Sequence, residues 1–281
     1  MTVSPLQGVG YACFGLSYLF AFLLELGRLF WPRAAWRPAG LTWGVIGLTT
    51  HTLYLGFNQP TPAAAYGSLL LLAWVLALFY LYGTIHYAKQ AWAVFVLPVV
   101  MLLVALSFTL FHADTVTPDS DIFHATAWAS GARFWGAVHG TLILLAAVGV
   151  SVGFLTSVMY LIQARRLRNK VNPGRVVPLL SLERLETMNR RALNLAFPML
   201  TAGLLVGTLL LRHGHDLGDN WFSLKVLSSG GLWLVFLVLV YLRYGANVPP
   251  RRLALLSVAA FALMIVALAA AHPFAEGGGA K

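Results

Sequence analysis

Eight apolar runs, each long enough to cross a bilayer, leave this chain little freedom in how it folds. They cover about Gly8 to Phe30, Leu41 to Phe57, Tyr66 to Gly83, Ala91 to Phe111, Gly136 to Ile162, Leu193 to Leu211, Val226 to Gly245 and Leu253 to Ala271. A spanning helix needs about 20 mostly apolar residues, and nothing resembling a soluble domain fits between the runs. Composition agrees, because only 10% of the residues are charged and 59% are apolar, whereas soluble domains carry about 25% charge. The expected fold is all-α: one polytopic membrane domain over 1–281 with eight transmembrane helices. The first run has no basic stretch ahead of it, exceeds a signal-peptide core in length and meets Trp31, Pro32 and Arg33 at once, so it reads as a retained helix.

The charges orient the bundle. If the segment 163–192 is cytoplasmic, only Arg133, Arg212, Lys225 and Lys281 of the 19 basic residues fall on the other side. Basic residues collect in cytoplasmic loops, so both termini are expected outside (N-out, C-out), with outer loops at 112–135 and 213–225 and a place in the cell (inner, cytoplasmic) membrane. The net charge of +10 then describes cytoplasmic loops and anionic headgroups, with no nucleic-acid partner. Cys13 is the one cysteine. A disulfide within the chain, a thiol-exchange site and a covalently attached c-type haem are thereby excluded.

Two segments outside the runs carry pattern. Ser181 is a candidate N-cap, followed by Glu183 and Glu186, then Arg190 and Arg191, with Leu182, Leu185 and Met188 at helical spacing; this predicts a short amphipathic helix on the inner surface. The outer segment His112 to Trp135 is acidic at Asp114, Asp119 and Asp121 and ends in aromatic residues of the kind that anchor at interfaces.

Motifs of soluble enzymes are absent: no GxxxxGK[ST], no GxGxxG after a strand, no HExxH and no GxSxG. No catalytic acid, base or nucleophile is assigned. Histidine is the unusual residue, since His112, His124, His139, His213, His215 and His272 all fall on the outer side of this topology. His51 lies about ten residues into its helix, roughly 15 Å deep in a ~30 Å layer. It requires a partner there, either a hydrogen bond to a neighbouring helix or a metal or haem in the bundle. His139, within Gly136-Ala-Val-His-Gly140, lies near the outer mouth of its helix, and His272, before Pro273, closes its helix at the same mouth. They read either as interfacial histidines or as the two neutral imidazoles of a six-coordinate haem iron. The His213 and His215 pair is a loop feature or a weak metal site.

Other polar positions have structural readings. Glu25 and Arg28 are spaced to pair, Arg243 to snorkel toward the inner surface, and Pro98 and Pro198 to kink their helices. The spacings Gly136 to Gly140 and Gly203 to Gly207 allow close helix approach.

Trp135-Gly-Ala-Val-His139-Gly, the apolar helix ending in Tyr160-Leu-Ile-Gln-Ala-Arg-Arg, then Ser181-Leu-Glu-Arg-Leu-Glu and Leu200-Thr-Ala-Gly-Leu-Leu-Val-Gly207 together resemble the cytochrome c assembly protein family. That family contains the CcsA-type and ResC-type haem-handling subunits and the HemX-type proteins. The resemblance runs from Thr50-His-Thr-Leu to His272 and is strongest between Trp135 and Gly207. It implies haem ligation by His139 and His272 at the outer face, with His51 as an intramembrane haem histidine. The haem would be b-type, non-covalent and transient, and Trp135, Trp221 and Phe222 would offer an aromatic shelf. Where the family places a second intramembrane histidine after Tyr-Leu, this chain has Tyr241-Leu242-Arg243, and its Gly218 to Ser229 segment lacks the tryptophan-rich motif with an aspartate. The resemblance therefore implies a protein of cytochrome c biogenesis that holds haem for apocytochrome c beside a second membrane subunit. The alternatives are a HemX-type regulator of haem supply and, from another class, a small-molecule transporter.

Overall fold

The structure is a computed structural model, and it describes residues 10–31, 35–60, 65–87, 90–113, 131–170, 178–213, 224–246 and 248–269. Within these residues every regular element is a helix: α1 (Tyr11–Phe30), α2 (Trp36–Asn58), α3 (Ala65–His86), α4 (Trp92–Ala113), α5 (Gly131–Arg168), α6 (Leu182–His213), α7 (Leu224–Tyr244) and α8 (Pro250–Ala269). All but α2 are long and apolar enough to cross a membrane. Length does not hold α2 back, because its 23 residues span about 35 Å. Composition does: Arg37, Pro38, four glycines and four threonines dilute its apolar content.

Hydropathy located the apolar stretches and missed where the helices stop. The segment after Ser181 is no separate surface helix. It is the first part of α6, which runs unbroken for 32 residues. Nothing between Arg191 and Leu193 interrupts helical propensity, and Pro198 lies inside the helix without ending it. Likewise α5 continues to Arg168 over 38 residues, about 57 Å against a ~30 Å hydrocarbon layer. Its last turn is basic, with Arg165, Arg166 and Arg168, a placement that complements the negative end of the helix dipole.

The chain packs as two units, Met1–Phe111 with Ile162–Leu182, and His112–Leu161 with Glu183–Lys281. In the first, α2 buries Gly40, Gly44, Gly47, His51 and Tyr54, a spacing of four, three, four and three that puts all five on one face. A Cβ on Gly44 would lie 2.5 Å from Tyr80 Oη of α3, and one on Gly47 would lie 2.8 Å from the Tyr18 ring of α1. These helices approach closely because three of the five residues on this face are glycines, with no side chains to hold them apart. Glu25 is wholly buried against Gly40 and, as expected from its spacing, pairs with Arg28 at 3.1 Å.

In the second unit α5 and α6 meet through glycine on α6. A Cβ on Gly203 would lie 2.8 Å from Ile143 Cδ1, and one on Gly207 the same distance from His139 Cε1. The expected close approach at Gly136 and Gly140 does not occur, since a Cβ on either meets nothing within 4 Å. The α5 residues that meet the α6 glycines are His139, Leu142 and Ile143.

Candidate functional site

His139 is held by two features of α6. Its Nδ1 is 2.7 Å from the backbone carbonyl of Gly203, and its ring lies over Gly207, where a side chain would collide with it. A carbonyl oxygen only accepts, so Nδ1 carries the proton and Nε2 keeps its lone pair. A histidine whose N–H is fixed on a carbonyl presents the other nitrogen as a ligand of defined direction. Trp135 precedes His139 by four residues, which places it one turn away along the same side of α5. It is half exposed and packs edge-on against Phe134, with ring centroids 5.5 Å apart.

His51 occupies a different setting. It is wholly buried, shares a 3.3 Å hydrogen bond through Nδ1 with Tyr18 Oη and stacks on Phe14 with ring centroids 4.4 Å apart and 6° between planes. The hydrogen bond to a neighbouring helix is thus present. Its Nε2 is buried without a hydrogen-bond partner. Phe14 also packs against Tyr11 and Tyr54, so the imidazole is one ring in an aromatic cluster. Thr50 and Thr52 turn their hydroxyls back to the carbonyls of their own helix and leave His51 to α1.

The remaining expected site residues, His272, Trp221 and Phe222, lie outside the described residues. Among the described residues no group of three His, Cys, Asp or Glu side chains is placed to hold a metal ion.

Arg243 Nη2 donates to Asn189 Oδ1 at 3.2 Å, and Asn189 is buried in α6. The Asn189 amide in turn donates to the Gly153 carbonyl at 2.9 Å, to Ser157 Oγ at 2.8 Å and to Ser257 Oγ at 3.4 Å. This asparagine ties four helices together, and it was not foreseen: in sequence it is one polar residue among many in an amphipathic stretch. The only available signal was its spacing from Leu185 and Ala196, which places it on the buried face.

Comparison with known proteins gives one match. The family model described as Cytochrome C assembly protein covers residues 63–270, a stretch that holds His139, Gly203, Gly207, Asn189 and Arg243. His51 precedes it and His272 follows it. No curated protein and no solved structure matches the chain.

Proposed function

Because this chain belongs to the cytochrome c assembly protein family, whose name gives it a role in cytochrome c biogenesis, we propose that it is a haem-handling subunit that holds haem at the outer face of the cell's inner membrane. His139 is one axial ligand and His272 the other. The observation that carries the reading is the Nδ1 bond of His139 to Gly203, which leaves Nε2 free and aimed. Haem, when bound, supplies the vinyl groups that accept apocytochrome thiols. The chain's own residues bind and orient: α6 fixes the imidazole, and Trp135 offers an apolar surface beside it, joined in this reading by Trp221 and Phe222.

At His51 the fit is partial. Nε2 is a bare ligand atom, but a porphyrin reaches it only by opening the packing of α1 on α2. We keep His51 as an entry-site histidine on that condition. The proposed topology has eight spans with both termini outside. The support for α2 as a span is its glycine face, which packs on α1 and α3 and so does not depend on lipid contact. The proposed partners are apocytochrome c and a second biogenesis subunit of the same membrane.

The test is the visible spectrum of the purified full chain. Wild type should carry a low-spin haem band, and His139→Ala and His272→Ala should each lose it. Two variants that keep the wild-type spectrum would refute the ligand assignment. A wild type without haem absorbance favours the HemX-type reading, whose support is the Gly218 to Ser229 segment with a single tryptophan.

A further inference from the structure

The second unit carries a polar surface on the outside of α6 and α7 that haem ligation at His139 does not use. Tyr244, the last residue of α7, donates its hydroxyl to Asn194 Oδ1 of α6 at 2.8 Å, and both side chains are exposed. With its oxygen taken, the amide keeps two N–H donors, and among the described residues no hydrogen bond uses them. Arg190 precedes Asn194 by four residues, one turn away on the same exposed side of α6. Tyr241, one turn before Tyr244 on α7, is 66% exposed.

Glu186 stands four residues before Arg190, the spacing of a helical ion pair, yet among the described residues none joins them. The Glu186 charge acts instead on Arg243, which also lies in electrostatic reach of Arg190. Arg190 is therefore the uncompensated cation of this surface. The carbonyl end of α7 would repel an anion, but it is partly closed. Gly245 and Ala246 N–H groups donate to the Tyr241 carbonyl at 2.7 and 3.3 Å, and the Val248 N–H donates to that of Leu242 at 3.3 Å.

Depth narrows the partner. α6 passes from polar to apolar sequence just after Arg190 and Arg191, and α7 ends at Tyr244. An exposed guanidinium, an outward amide and two phenol rings thus stand where hydrocarbon gives way to headgroups. We propose that Arg190 and Asn194 hold the phosphate of an anionic phospholipid on the outside of α6 and α7, with Tyr241 and Tyr244 beside its glycerol backbone. The guanidinium fork matches phosphate oxygens, and Tyr244 keeps the amide donors turned toward them. A choline headgroup would bring its own cation against Arg190.

The test uses the delipidated full chain in detergent, with dioleoylphosphatidylglycerol, dioleoylphosphatidylcholine and water-soluble glycerol 3-phosphate as probes, read by retained molecules in native mass spectrometry. Wild type should retain the glycerol lipid about fivefold better than the choline lipid, and Arg190→Gln should remove that preference, an effect of the size expected of one interfacial arginine. Asn194→Leu, which changes no charge, should weaken retention as well, and so should Tyr244→Phe, which releases the amide. Arg251→Gln, the same loss of charge at the exposed start of α8, should retain lipid as wild type does. Equal retention of the two lipids by wild type overturns the proposal. So does a loss with Arg251→Gln equal to that with Arg190→Gln, which reduces the effect to general attraction by basic residues, or wild-type retention by Asn194→Leu. Displacement of the lipid by an equal concentration of glycerol 3-phosphate assigns the surface to a soluble ester and overturns it too.

Discussion

A side chain held by a neighbouring helix fails differently from one held by its own. His139 is carried on α5, but its orientation depends on Gly203 and Gly207 of α6. Replacing Gly207 by alanine gains about 1 kcal/mol of helix propensity. The new Cβ, 2.8 Å from His139 Cε1, pushes the ring off its carbonyl. We expect Gly207→Ala to fold with a melting temperature near that of wild type and to bind haem roughly tenfold more weakly, as loss of a ligand's supporting hydrogen bond does; a haem titration checks it. At this scale the sequence could single out His139 only as a candidate, because a histidine beside a tryptophan stands out from its apolar surroundings. Its tautomer was not legible, since the carbonyl that fixes it lies 64 residues away. Asn189 and Arg243 were illegible for the same reason: their meaning depends on which serines and which carbonyl come to meet them.

At the scale of elements, the glycine face of α2 determines how closely α1 and α3 approach. Gly47→Val would place methyl groups where the Tyr18 ring lies, 2.8 Å from the Cβ position. Tyr18 must then leave His51, so a packing defect also breaks the 3.3 Å hydrogen bond. Overpacking of this kind costs about 1–3 kcal/mol. The expected outcome is a lowered melting temperature in detergent, with Gly56→Val as the control, since a Cβ there meets nothing within 4 Å. Helix existence was readable from the apolar runs, since each of the eight coincides with a described helix. Helix ends were not: α5 and α6 run past the apolar stretch on polar residues of good helical propensity, which a hydropathy scan passes over.

For the whole molecule, the basic residues and the apolar runs argue together. Eight spans place the two termini on one side of the membrane and seven place them on opposite sides, so locating the termini also decides whether α2 crosses. A periplasmically active alkaline phosphatase should be active when fused at either terminus and inactive when inserted within 171–177. Activity at one terminus only would give α2 a re-entrant or surface role. The all-helical membrane class followed from the sequence because composition alone fixes the solvent. The grouping of helices into two packed units had no sequence signal, since it depends on which apolar faces find each other, and apolar faces in lipid look alike.

The seam between α5 and α6 has one more consequence. An imidazole mounted on one rod and aimed by another works as a gauge of their registry. A slip of α6 by one helical turn, about 5.4 Å, carries the Gly203 carbonyl out of reach of Nδ1, and the freed ring turns its lone pair elsewhere. Sliding of α6 along α5 thereby changes the direction of the His139 lone pair.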